Sequence, residues 1–193
     1  MKPIYFKLTK ILKESPETFE KSKILGSPVF PKDFIERNDL EDKYFVMQLN
    51  LSELNKYNSN TILPSQGFLY FFLDVNTYPY KPSVIYTSEE VIEVYDDIND
   101  IYEDFGDYHG YMIEFDDNPE CGHYLLGDIN QDLDLDCEFD TTGYVTLLEI
   151  DSLNLPENCM QIGQPDGWYI FLIKEKDLRN LNFKKVKFVD FGS

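Results

Sequence analysis

Four dense apolar and aromatic runs punctuate the chain: Tyr44 to Leu49, Phe68 to Leu73, Gly143 to Asp151 and Trp168 to Ile173. Each has the length of a buried strand, and turn-forming stretches such as Leu63-Pro64-Ser65-Gln66-Gly67 separate them. Lys2 to Leu12 alternates, with Ile4, Phe6 and Leu8 on one side, and predicts a first strand. Val84 to Tyr86 predicts a short strand and Val186 to Phe191 an edge strand. Gly26, Pro28 and Pro31 make Ser22 to Phe34 a loop crossing the surface with a few extended residues. Leu51 to Leu54 reads as one helical turn capped by Asn50 or Ser52, and Lys174 to Asn182 as a short helix or turn. Beyond Thr87, which with Glu90 forms a capping-box pattern, Val91, Tyr95, Ile98, Tyr102 and Phe105 recur at three- and four-residue steps. That spacing predicts an amphipathic helix whose far side carries Glu93, Asp96, Asp97, Asp100, Glu103 and Asp104.

One unit recurs. MQLNLSEL leads through a Pro-containing turn to Gly67 and FLYFFLD; LLEIDSLNLP leads to Gly167 and WYIFLIK. The spacing is 17 residues from Asn50 to Gly67 and 16 from Asp151 to Gly167. Two pseudo-repeats, roughly 44–74 and 144–174, predict a pseudo-symmetric domain, since two copies are too few for a solenoid. The expected class is α+β and β-rich: antiparallel sheets in a two-lobed arrangement with a few short helices, all within one domain over residues 1–193. A glycine ahead of each aromatic strand suits a backbone with positive φ or a bulge.

Charge changes the picture. The formal net charge is −19, and between Pro82 and Ile173 there are 23 carboxylates and no Lys or Arg, so all 17 basic residues lie outside that stretch. Such a field repels phosphate backbones and anionic lipid, and no segment reaches the roughly eighteen apolar residues of a membrane span. Nucleic acid and membrane are therefore not expected partners, whereas a basic protein or a cation is attracted. The three dispersed cysteines, Cys121, Cys137 and Cys159, make a poor disulfide framework and fit a reducing, cytoplasmic setting.

Candidate chemistry is sparse. Asp128, Asn130, Asp132 and Asp134 begin like a calcium loop, but Leu133 stands where the turn needs Gly and Phe139 where a bidentate Glu is needed, so a solvated loop or strand edge is the simpler reading. Cys121, His123 and Cys137 lack a second closely spaced pair to complete a zinc site. His109 and His123 are the two neutral-pH bases, and no nucleophile elbow or phosphate-binding loop accompanies them. No metal site and no cofactor is called for.

SKILGSPVFP (Ser22 to Pro31), YFVMQLNLSEL (Tyr44 to Leu54), LPSQGFLYFFLD (Leu63 to Asp74), HYLLGDINQ (His123 to Gln131), TLLEIDS (Thr146 to Ser152) and DGWYIFLIKEKDLRNLNFKKV (Asp166 to Val186) together resemble the YwqG-like family of bacterial proteins. The resemblance implies a compact, internally duplicated, β-rich domain without agreed catalytic residues, some members being suspected of immunity-like roles beside toxins. The expected function is a non-enzymatic binding module whose acidic segment, centred on Glu93, Asp96, Asp97, Asp100, Glu103 and Asp104, docks a basic, toxin-like protein. The alternative is a small-molecule or enzymatic site in a cleft between the pseudo-repeats, with His109, His123 and Asp166 as its polar candidates.

Overall fold

The computed structural model describes residues 1–57, 62–96, 98–100, 102, 109–129, 140–157, 159–162 and 167–192. The strands are β1 (Ile4–Lys10), β2 (Lys23–Ile24), β3 (Val29–Phe30), β4 (Tyr44–Asn50), β5 (Phe68–Asp74), β6 (Lys81–Thr87), β7 (Glu93–Val94), β8 (Tyr111–Asp116), β9 (His123–Gly127), β10 (Tyr144–Asp151), β11 (Gly167–Lys174) and β12 (Lys187–Gly192). Three short helices join them: α1 (Pro16–Phe19), α2 (Phe34–Arg37) and α3 (Glu175–Arg179). Ten strands form one antiparallel sheet in the order β12-β11-β10-β9-β1-β8-β2-β4-β5-β6, and β3 pairs with β7 alone.

The duplication expected from the sequence is present, and its topology is an exchange. One half consists of β1, β2, β4, β5 and β6, and the other of β8, β9, β10, β11 and β12. Their first strands cross over: β1 pairs with β9, β8 pairs with β2, and β1 and β8 pair with each other at the centre. The two lobes expected from the sequence are therefore fused into one continuous sheet. The correspondence reaches single residues. The β4–β5 register slips between Phe45 and Met47, and the β10–β11 register slips at the matching place between Thr146 and Leu148. Leu25 and Leu126, just beyond the paired residues of β2 and near the end of β9, both have φ of 55°. The side-chain oxygens of Asn50 and Asp151 accept the N–H of Ser52 and Leu153, each capping a single 3-10 turn. Ser22 Oγ accepts the Asn50 N–H at 3.0 Å, and His123 Nδ1 accepts the Asp151 N–H at 3.1 Å.

Burial explains which strands alternate and which do not. β4 and β5 are buried at every position but the last, as strands covered on both faces must be. One face of this pair joins the main core. The other lies under a cover layer in which Phe30, Phe34, Ile35 and Leu40, with Val91, Tyr95 and Ile98 at the edge, pack on Phe45, Phe68, Tyr70 and Phe72. β1 and β8, at the centre of the sheet, alternate because one side meets solvent. The sheet curls until its edge strands approach, with Tyr80 of the β5–β6 turn against Phe188 of β12, and forms a nearly closed barrel.

Two sequence expectations change. Ser22 to Phe34 is not a surface loop: Ser22, Lys23, Ile24, Leu25 and Phe30 are wholly buried, because β2 is an interior strand and β3 belongs to the cover. No helix starts at Thr87; β6 runs through that residue and Glu93–Val94 is strand. The three- and four-residue spacing of Val91, Tyr95 and Ile98 does place them against one core, but on extended and turning chain.

Gly67 bears out its expected role, with φ of 94°. A Cβ there would lie 2.4 Å from the Thr87 carbonyl oxygen of the neighbouring strand, and backbone cannot yield as a flexible side chain does. Gly67→Ala is expected to destabilise the chain by about 2 kcal/mol, from the left-handed conformation and the displaced β5–β6 pairing. Chemical denaturation measures this, and a loss below about 0.5 kcal/mol, the scale of a neutral surface change, would contradict it.

Candidate functional site

The cover layer brings two acidic segments together. Residues 31–43 follow β3, and residues 88–96 run through β7; because Phe34, Ile35, Leu40, Val91 and Tyr95 pack down onto β4 and β5, the polar side chains face out. Asp33, Glu36, Asp39, Glu41, Asp42, Glu89, Glu90, Asp96 and Asp100 are exposed there and Glu93 is half-buried, against Lys32, Arg37 and Lys43. Arg37 is taken up by Glu89, at 3.1 Å, and Lys43 donates to Ser83 Oγ at 3.0 Å. A Glu93 carboxylate oxygen accepts the Asp33 N–H at 3.0 Å, tying the segments to each other.

Tyr95 stands at the middle of this surface. Partial burial raises its hydroxyl pKa, and the carboxylates of Glu93, Asp33, Glu36 and Glu41 push it further in the same direction. Beside it Ile92 and Val94 are 58 % and 36 % exposed, large apolar side chains within an acidic rim. That combination differs from an ordinary solvated acidic face, which carries no exposed apolar centre.

Of the six carboxylates singled out from the sequence, Glu93, Asp96 and Asp100 lie in or next to this surface, while Asp97, Glu103 and Asp104 fall outside the described residues. Glu93 and Asp96 share no helical face, since no helix runs through 88–96. Sequence reasoning missed the contribution of Asp33 to Asp42, although five carboxylates within ten residues were a visible signal. Other carboxylates of the lysine-free stretch are matched by cations from the N-terminal strand: Asp128 by the Met1 amino group at 2.6 Å, Asp117 by Lys2 at 3.2 Å and Glu114 by Lys7 at 3.4 Å. Among the described residues, the cover layer gathers carboxylates from two segments, of which Glu89 is paired with Arg37.

Of the cleft candidates, the two histidines differ in exposure. His123 is buried, stacked on Phe6 at 5.4 Å, and accepts the Asp151 N–H. Burial holds its imidazole pKa below the ordinary value against the opposing pull of Asp151, so it serves as a neutral acceptor in the core. His109 is exposed, and Asp166 lies outside the described residues. Between the halves β1 and β8 pair directly. Cys159 is a buried thiol. Cys137 and the calcium-like stretch from Asn130 onward are outside the described residues, among which no group of three or more His, Cys, Asp or Glu is placed to hold a metal ion. No helix among them is long and apolar enough to cross a membrane.

Two polar pairs occupy matching positions in the halves: Lys23 opposite Gln48, both buried, and half-buried Tyr124 opposite buried Glu149. Gln48 accepts from the Val29 N–H and donates to the Phe19 and Lys21 carbonyls, which makes it a structural tie. Tyr124 donates to Glu149 at 2.6 Å; burial raises the Glu149 carboxyl pKa and the Tyr124 bond lowers it. A buried acid beside a phenol is a catalytic type of grouping, yet neither the cavity bordered by Arg179 nor the one bordered by Lys185 reaches it.

No curated protein matches the chain. Residues 22–96, which run from β2 through the acidic surface to Asp96, are similar to a family described as a domain of unknown function (DUF1963).

Proposed function

We propose that the chain is a non-catalytic binding module whose acidic cover layer receives a basic protein partner. Its most concrete form is an immunity-like protein that neutralises a cationic toxin in the cytoplasm. The observation that carries this reading is the exposed Ile92–Val94 pair beside Tyr95, ringed by carboxylates from two separate segments. An apolar centre supplies contact area, and an acidic rim speeds association with a positive partner and rejects negative ones.

Surface capture against small proteins of pI above about 9 tests it at about 50 and about 500 mM salt. The expected result is binding whose association rate falls steeply with salt, and a loss of roughly tenfold in affinity for Glu90→Lys/Asp96→Lys/Asp100→Lys. The same charge change placed at Glu17, Glu120 and Glu157, exposed and away from the cover layer, is expected to matter far less. Salt-independent affinity, or equal losses in the two triple variants, would remove the proposal.

A further inference from the structure

We infer that the concavity between β11, α3 and β12 binds a small multivalent anion, a ligand carrying two or more phosphate groups. This site is independent of the acidic cover layer. Its volume is about 540 Å³, and five of the side chains lining it are lysines: Lys174, Lys176, Lys184, Lys185 and Lys187. A volume in that range suits a small ligand. Tyr144 and Val186 supply apolar wall, and the Lys174 ammonium lies over the Tyr144 ring, 5.2 Å from its centroid.

Of these five lysines, Lys174 feels the Asp140 carboxylate and Lys187 has contacts of its own. Lys176, Lys184 and Lys185 are exposed and make no ion pair among the described residues. Asp177, the carboxylate on the lining, offsets one of these charges and is held locally: its Oδ1 accepts from Asn182 Nδ2 at 3.2 Å, and its main-chain carbonyl accepts the Asn180 and Asn182 N–H groups. A chain with 36 carboxylates thus leaves a group of cations facing one hollow. Like charges so placed repel, and an anion bound among them removes that repulsion.

The duplication shows that the fold does not require a lysine at the end of this strand. Phe68 of β5 corresponds to Trp168 of β11, so the strand end that carries Lys174 in one half carries Asp74 in the other. The same framework accepts opposite charge at that place. The cluster is therefore a property of one half only, unlike the matching bulges and caps.

Ligand size and valence follow from electrostatics. A single exposed ammonium holds a monovalent anion weakly in water, whereas several ammoniums acting on one compact ligand add their attractions. Phosphate groups present several oxygens to point-charge lysines and need no planar fork. Beyond a Debye length of about 10 Å the local positive field is screened, and a long polyanion would meet the acidic remainder of the chain, so a small ligand is favoured over nucleic acid.

Calorimetric titration of the whole chain with inorganic tripolyphosphate, citrate and a single-stranded oligonucleotide tests this. Tripolyphosphate is expected to bind with a Kd below about 1 mM, and Lys176→Gln/Lys184→Gln/Lys185→Gln to weaken it at least about tenfold. Lys10→Gln/Lys13→Gln/Lys32→Gln, with the same change in net charge, is expected to stay within about twofold. In the unmodified chain, titration should shift the backbone amide resonances of 174–187, a readout that needs no variant. The proposal is overturned by no binding, by equal losses in the two triple variants, or by shifts confined elsewhere. Tighter binding of citrate or the oligonucleotide would overturn it too, as would self-association that the first triple variant abolishes.

Discussion

Glu14→Ala is expected to destabilise the chain by roughly 3–5 kcal/mol, the cost of leaving a buried charge without its partner. The Lys23 side chain is wholly inaccessible, and its ammonium has Glu14 Oε2 at 3.0 Å and the Ser27 carbonyl at 2.9 Å. The same carboxylate accepts the Thr18 hydroxyl at 2.7 Å and the Ser27 N–H at 3.1 Å, so its removal also orphans a backbone donor. Two glycines make room for it: a Cβ on Gly26 or Gly110 would come within 2.6 or 2.8 Å of Glu14 Oε1. Glu14→Ala/Lys23→Met should recover much of the loss, because a methionine carries no charge to strand in the interior. The pH dependence has a definite sign. Burial lowers the Lys23 pKa from its ordinary 10.5 against the opposing pull of Glu14. Between that lowered value and 10.5 the unfolded chain holds a proton that the folded chain has released, so this residue's contribution to stability rises with pH across the window. Lys23→Met removes that slope, and Glu14→Ala widens the window by removing the group that holds the pKa up. Urea midpoints measured across pH decide it; a loss below about 1 kcal/mol for Glu14→Ala would show that the pair is not the tie described.

What the sequence made legible follows from what local pattern encodes. The runs at Tyr44 to Leu49 and Trp168 to Ile173 announced buried strands, and the similar spacing from Asn50 to Gly67 and from Asp151 to Gly167 showed that two segments share one local structure. The exchange of β1 and β8 was not legible, because strand partners are chosen by long-range packing and these two strands alternate like any half-solvated pair. Ser22 to Phe34 misled for a physical reason. Its Gly26 serves a close backbone approach to Gly110, not a surface turn. The 87–105 spacing put Val91, Tyr95 and Ile98 on the correct side, but three apolar positions in short extended pieces fit either period. At the candidate site the charge was readable and the assembly was not. Asp33 to Asp42 reach the carboxylates near Tyr95 only through the packing of Phe30 and Phe34 on β5. The lysines of 174–187 read as solvated turn residues until α3 and the start of β12 wrapped them around a hollow.

Phe71→Ala and Phe171→Ala are each expected to cost roughly 3–5 kcal/mol, as large-to-small changes at fully buried rings. Their double variant should cost measurably less than the sum. Phe71 lies on β5, next to one edge of the sheet, and Phe171 on β11, next to the other. In a flat sheet those strands would be far apart. Here their rings meet edge to face at 5.2 Å and 80°, and Phe171 also meets Phe188 of β12 at 5.1 Å. Contact across the interior is thus the direct consequence of curling, and it joins the two halves at a place remote from the β1–β8 seam. A coupling of roughly 0.5–1.5 kcal/mol is expected, the range measured for aromatic pairs beyond their area burial. Phe71→Leu and Phe171→Leu provide the same cycle at lower cost should the alanine pair unfold. Additivity within about 0.3 kcal/mol would mean that the rings do not touch in solution and that the barrel stands open between β5 and β11.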